Sequence, residues 1–320
     1  MEETKWKKCS QIHRSRCQQI SVLLVGGAID SVNIQAHAKI NLHLEVVRKR
    51  KDGYHEIETL FHSLTLHDNI EIRKRCDAGI RIDCNNARIP LDKRNLAYQA
   101  ADLFCQQMLI KNGINIKIKK RIPIASGLAG GSADAAAVLQ GMNRLFEVGL
   151  GIEDLKKMGI KLGADVPFCL TGGAGIGYGV GEVLTKISPL DDVPILLVNP
   201  GLEISAASAY QGLDLRHSRQ LRDVKISAKY VEEGNLRGVS QSLYNRLENS
   251  VFQSYPAISI LKEELGCLPE SYGSLMSGSG ATVFAIMSND IEAIKSSEVL
   301  KRKFPICIVA RTSPFGLKIA

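Results

Sequence analysis

Residues 120–137 read KRIPIASGLAGGSADAAA, and their types suit one task above others, the holding of a phosphate. Three glycines, Gly127, Gly130 and Gly131, let the backbone curl and approach a ligand closely. Ser132 is a natural N-cap, and the alanine-rich run after it predicts a helix to about Phe146. A helix starting directly after such a loop aims free N–H groups and the positive end of its dipole at one point, which suits an anion. The bland alternative is a flexible turn capped by Ser132, with Asp134 complementing the dipole. The length of the loop and the strand before it favour phosphate. Neither common phosphate loop is present. No Gly-Lys pair occurs in the chain, which excludes a Walker A loop, and the GGAGIGYGVG run at 172–181 never meets the G-x-G-x-x-G spacing.

Two other places carry suggestive polar residues. From Ile34 to Val46 apolar residues alternate strictly with polar ones, which predicts a half-buried strand with Lys39, Asn41 and His43 in a row on one face. Taken singly, each reads as well as part of a solvated face. Asp165 lies in an otherwise apolar stretch, GADVPF, where an unpaired carboxylate would be costly to bury. It reads equally as a cap ahead of Pro167.

The elements that must position these groups follow a mixed pattern. A turn at Asp52-Gly53 returns the chain to a strand over roughly Ile57 to Leu66, with short strands expected near 70–73 and 80–83. Asn95 to Lys111 reads as a helix stopped by Asn112-Gly113, and Ile114, Ile116 and Ile118 form the strand feeding the glycine loop. A shorter helix is expected over 152–162. Asp191-Asp192 breaks the chain before a buried-type strand, Ile195 to Val198, and a small-residue helix then carries Tyr210. A second glycine turn, at 277–280, leads into a last apolar strand. The boundaries expected are an N-terminal domain over 32–190 and a C-terminal domain over 191–320. Residues 1–31, basic and largely aperiodic, read as a disordered or non-native extension rather than a secretory signal.

Composition narrows the class. The chain has 320 residues, 45% of them hydrophobic and 23% charged, as in ordinary globular proteins. Of its net charge of +8, residues 1–31 carry +2, and the remaining +6 is spread over places such as Arg48–Lys51, Lys117–Arg121 and Lys301–Lys303, not gathered into one stripe. With aromatics at 5%, stacking platforms for nucleic acid are scarce, so the bias suits an anionic small molecule and no nucleic acid partner is expected. No apolar run is long enough to span a membrane. Eight cysteines include no C-x-x-C pair, and Cys105 and Cys169 fall in apolar runs as buried thiols, so a reducing, cytoplasmic setting is expected.

Three segments in this order, AKINLHL (38–44), PIASGLAGGSADAA (123–136) and SGSGATVFA (277–285), resemble the motifs of the GHMP small-molecule kinases. Asp52-Gly-Tyr-His55, Gly163-Ala-Asp-Val-Pro167 and Gly181-Glu-Val-Leu-Thr185 narrow the resemblance to a branch that acts on a cytidyl diphosphate alcohol in isoprenoid precursor synthesis. The loop departs from some members in having Ala125-Ser126 for Gly-Gly, and Ala206 stands where Thr is common. The resemblance implies a two-domain α+β fold with the active site in the cleft between domains. It implies ATP with Mg²⁺, cradled by Pro123, Ile124, Ala125, Ser126, Gly127, Leu128, Ala129, Gly130, Gly131, Ser132 and Ala133, with Ser132 within reach of the metal. Lys39 and Asp165 would be catalytic, Asp165 as base or hydroxyl-orienting carboxylate and Lys39 as its cationic partner. Asn41 would lie near the reacting hydroxyl, and Tyr54, His55 and Tyr210 would enclose the cytosine. For Tyr210 a half-buried core aromatic remains the competing reading. A monomer or weak dimer is expected. A family member acting on mevalonate or homoserine is the nearest rival, disfavoured by Asp52–His55. An RNA-gripping α+β module is the rival from another class, disfavoured by the scattered charge.

Overall fold

The structure, a computed structural model, describes residues 30–213 and 222–319. All but the last two residues of the expected extension 1–31 therefore lie outside the described residues.

The alternating segment forms β1 (Ser31–Lys49), which turns at Gly53 (φ +89°) and pairs antiparallel with β2 (His55–Arg75). Sequence reasoning expected two strands where β2 is one. A bulge that leaves residues 64–66 without partners in β1 absorbs the break in alternation, and pairing resumes at His67, so the strand continues instead of ending. Strands β3 (Ile80–Cys84) and β4 (Gly113–Lys119) extend the sheet beyond β2, giving the order β12-β1-β2-β4-β3 with β12 at Leu317–Ile319. Strand β5 (Ala174–Tyr178) attaches to the first half of β2, β6 (Val183–Ile187) pairs with the outer side of β5, and β8 (Tyr244–Asn245) runs parallel beside β1. A second sheet has the order β11-β7-β10-β9, from Ile306–Arg311, Pro194–Asn199, Val283–Met287 and Ser271–Met276. The fold is α+β. Sheet membership changes between β6 and β7, and the chain returns to the first sheet briefly at β8 and finally through β12.

Helix α1 (Leu96–Met108) is capped by Asn95, whose side chain accepts the Ala97 N–H, and it packs on α2 (Gly130–Leu145). Helix α2 lies against β1 and β2. The approach is close: a β-carbon on Gly141 would fall 2.4 Å from Ile72 Cδ1 and 3.0 Å from Ile34 Cδ1. That contact sets the depth of the helix whose first turn follows the glycine loop. Helices α3 (Ile152–Gly159) and α4 (Val166–Thr171) complete this half. In the other half, Leu196, Val198, Val283 and Ala285 of the second sheet bury against Leu261, Leu265 and Ala293. Cys169 is buried as expected, but Cys105 is only half-buried, because the far side of α1 faces solvent. None of the described helices is long and apolar enough to cross a membrane.

Candidate active site

The expected half-buried strand is buried on both faces from Ala36 to Val46. Its polar row is covered by later parts of the chain, and within it Lys39 and Asn41 bond to each other. Lys39 Nζ donates to Asn41 Oδ1 at 2.7 Å, Asn41 Nδ2 donates to Thr59 Oγ1 at 2.7 Å, and His43 Nδ1 meets Ser227 Oγ at 3.1 Å. Burial holds the His43 imidazole neutral, lowering its pKa to about 4. So His43 is a packing group beneath the row, while Lys39 and Asn41 face a cavity of about 1290 Å³.

Asp165 enters that cavity from the other side. It precedes α4, yet its side chain makes no capping hydrogen bond among the described residues. Its Oδ2 lies 3.6 Å from Lys39 Nζ instead, with the lysine side chain 5% exposed and the aspartate 33%. Lys39 Nζ also sits 5.5 Å from the centroid of Phe61, which stacks on Phe168 of α4. Those rings keep the ammonium from turning elsewhere, and a carboxylate is its natural partner there.

The glycine loop is tied to the same strand. Leu128 O accepts from the Lys39 N–H at 3.2 Å, and Ser126 Oγ donates to Pro123 O at 2.7 Å, closing the loop on itself. Ala125 (φ +48°) and Ala129 (φ +58°) adopt left-handed conformations in which glycine would be unstrained. Sequence reasoning made Ser132 the N-cap. The structure corrects this: α2 begins three residues earlier, after the left-handed Ala129, so Ser132 sits inside the first turn. Its hydroxyl is turned toward the Asp165 loop, where a β-carbon on Gly163 would come within 3.8 Å of it. Pro123, Ile124, Ala125, Ser126, Gly127, Ala129, Gly130, Gly131 and Ser132 line the cavity, whereas Leu128 and Ala133 point into the core.

The second glycine turn locks onto the first. Ser277 Oγ donates to Gly127 O at 3.0 Å, and the Thr282 N–H donates to Ser126 O at 3.3 Å. Asn245 fixes this turn in place, its Nδ2 donating to Met276 O at 2.7 Å and Gly278 O at 2.8 Å.

At the far end of the cavity, Tyr210 of α5 (Ala206–Gln211) stacks on His55 with ring centroids 4.9 Å apart and planes 22° from parallel. Tyr210 also packs against the core of the second half. Both readings of this residue thus have a physical basis. Tyr54 lines the same end but is 66% exposed, so it stands at the rim and does not stack in this state.

Sequence reasoning missed a buried cluster on the cavity wall. Lys120 Nζ donates to Asp68 Oδ2 at 2.5 Å and to Asp134 Oδ2 at 2.8 Å. Burial pushes the Asp134 carboxyl up, against the pull of the Lys120 ammonium and with the Asp68 charge adding to the rise. Burial works against the Lys120 ammonium, but the Asp134 and Asp68 charges outweigh it and raise its pKa. The available signal was an aspartate set in an alanine run, where dipole complementation was the lesser of its uses.

A model of the GHMP kinases N terminal domain matches residues 95–173, and one of the GHMP kinases C terminal domain matches 227–306. The 4-diphosphocytidyl-2-C-methyl-D-erythritol kinase of Acetivibrio thermocellus is 43% identical over 284 residues, covering 89% of this chain and 100% of that protein. This chain belongs to that kinase family. The enzyme of the same name from Clostridioides difficile is 38% identical over 292 residues, covering 91% and 98%. A crystal structure of 4-(cytidine 5'-diphospho)-2C-methyl-D-erythritol kinase superposes with a TM-score of 0.75 at 30% identity, covering 88% of this chain and 99% of the other. A homoserine kinase from Cytophaga hutchinsonii shares the fold, with a TM-score of 0.72 at 19% identity over 93% and 100%. The chain is therefore an ATP-using small-molecule kinase of two GHMP domains.

Proposed function

We propose that this chain transfers the γ-phosphoryl group of ATP to the 2-hydroxyl of 4-diphosphocytidyl-2-C-methyl-D-erythritol. The relatives' names support the acceptor, and one observation supports the site: Lys39 and Asp165 lie 3.6 Å apart in the cavity that the glycine loop lines. Residues 32–190 form the nucleotide-binding domain and residues 191–320 the domain that carries Tyr210.

The phosphates lie in the loop Pro123–Ala133, where the N–H groups of the first turn of α2 offset their charge. The acceptor is a tertiary alcohol, hindered and weakly nucleophilic, so its placement matters more than its activation. Asp165 Oδ2 accepts a hydrogen bond from that hydroxyl and takes its proton as the new O–P bond forms and the bond to ADP breaks. The Lys39 ammonium stays beside the carboxylate and balances charge through the transfer. Asn41, with one amide N–H left over, aims it at the acceptor. His55 and Tyr210 admit the cytosine by parting their rings, with Tyr54 closing from the rim.

Magnesium comes with the nucleotide. Among the described residues no group of three His, Cys, Asp or Glu side chains is arranged to hold a metal ion. Mg²⁺ ordinarily keeps phosphate oxygens and waters with few protein ligands, and the Ser132 hydroxyl in the first turn of α2 fits that sparse role. Bound there, the ion supplies charge neutralisation.

ADP release with Mg²⁺-ATP tests the proposal, with the cytidyl acceptor run beside mevalonate and homoserine. Turnover with the cytidyl compound alone is expected. Turnover with either other alcohol, at a comparable kcat/KM, refutes the acceptor.

A further inference from the structure

We infer that Thr59 is a positioning residue for phosphoryl transfer: it sets the direction of a hydrogen-bond relay that holds the Lys39 ammonium at Asp165. The inference rests on the functional reading above. Thr59 is fully buried on β2 and does not line the cavity.

The relay has a polarity that follows from counting protons. A bulge between Asn41 and His43 in the β1–β2 ladder leaves His43 O facing Thr59, and Thr59 Oγ1 donates to it at 2.7 Å. A hydroxyl has one proton. With that proton committed to a carbonyl, Thr59 Oγ1 can only accept from Asn41, so the Asn41 amide must present Nδ2 to it, at 2.7 Å. The Asn41 carbonyl oxygen is thereby forced toward Lys39 Nζ, which donates to it at 2.7 Å. Turning the amide over would put an NH₂ group against an ammonium and a carbonyl against a hydroxyl whose proton is already used. The geometry of Thr59 itself is pinned, because its methyl group faces Gly177, where a β-carbon would sit 3.2 Å from Thr59 Cγ2. One threonine hydroxyl thus decides which way a neutral amide points, and the amide decides where the ammonium rests relative to Asp165, 3.6 Å away.

Thr59→Val keeps the volume and the pinned methyl and removes the oxygen. In ADP-release assays T59V is expected to lower kcat about tenfold, the effect of one lost buried hydrogen bond. KM for ATP and for the acceptor should move less than twofold. T59S restores the hydroxyl and is expected to recover most of the loss. On an Asn41→Ala background T59V should add nothing, because the amide it orients is gone. A crystal structure of T59V is expected to show Lys39 Nζ displaced from the Asn41 side chain. If T59V does not fold, T59A removes the same oxygen and carries the same comparison.

A T59V enzyme with kcat within twofold of wild type overturns the inference. So does an equal tenfold loss on the N41A background, which would mean that Thr59 acts by general destabilisation. A wild-type enzyme silent with the cytidyl acceptor refutes the functional reading instead. The positioning claim is then judged on the T59V crystal structure, where an unmoved Lys39 overturns it.

Discussion

Gly127 is where the two glycine turns meet, and replacing it with alanine should disable the enzyme without unfolding it. A β-carbon at Gly127 would lie 2.1 Å from Ser277 O, which is backbone and has no rotamer with which to yield. An unstrained contact of this kind needs about 3.2 Å, so the loops must part by roughly 1 Å. The residue also sits at φ +77°, where alanine adds strain of about 1 kcal/mol. Parting the turns stretches the 3.0 Å bond from Ser277 Oγ to Gly127 O and shifts the cradle relative to Lys39 and Asp165. A displacement near 1 Å is worth on the order of a hundredfold in rate when placement is the main source of catalysis. G127A is therefore expected to lose about 10²-fold in kcat/KM for ATP. Its melting temperature should fall only a few degrees, as for strain of about 1–2 kcal/mol in a chain of this size. Steady-state kinetics with varied ATP, beside a thermal melt, reads both. A G127A enzyme within threefold of wild type would refute the claim that contact between the turns sets the phosphate position.

Other substitutions probe separate parts of the site. Asp165→Ala should cut turnover by about 10²–10⁴-fold and leave nucleotide binding by calorimetry nearly unchanged, and more than a tenth of wild-type kcat would remove it from the base role. Tyr210→Ala should raise KM for the cytidyl acceptor roughly tenfold, as expected for a lost base-stacking partner, with little effect on KM for ATP. An equal rise in both would make Tyr210 a packing residue only. His62 is buried, with its ring accepting the Leu190 N–H at 2.9 Å and donating to Ser63 O at 2.9 Å, and burial lowers its pKa to about 4. The unfolded chain takes up that proton near pH 6.5, so lowering the pH from 7 to 5 favours unfolding by about 2 kcal/mol through this group alone. Denaturant unfolding of His62→Gln should show a pH 7-to-5 loss smaller than wild type by about that amount, and identical losses would contradict the neutral buried ring.

The parts legible in the sequence were those written in local pattern. The alternation from Ile34 to Val46, the glycine loop and its helix, and the turn at Asp52-Gly53 each depend on neighbours within a few residues. What depended on distant chain was not legible. The polar face of β1 looks solvated in isolation, and only the segments that cover it, such as Ser227 over His43, make it buried. Asp68 lies 52 residues before Lys120, and Asp134 lies across the glycine loop from it, so their union is a property of the sheet register and the depth of α2. Ser132 was misjudged as a cap because two alanines take left-handed backbone that alanine seldom adopts, starting the helix early. Asp165 was the harder case. Its sequence context fits a cap, and only the absence of a capping bond together with the 3.6 Å approach to Lys39 separates the two readings.

The central claim is transfer to one particular hydroxyl, and phosphorus NMR of the product tests it most directly. The 2-carbon of the methylerythritol unit carries no hydrogen, so a phosphate there gives a monoester signal unsplit by any carbinol proton. That unsplit resonance, appearing with the ADP signals when wild-type enzyme is given Mg²⁺-ATP and the cytidyl acceptor, is the expected result. A monoester signal split by carbinol protons, or inorganic phosphate alone, would contradict the placement of the acceptor beside Asp165.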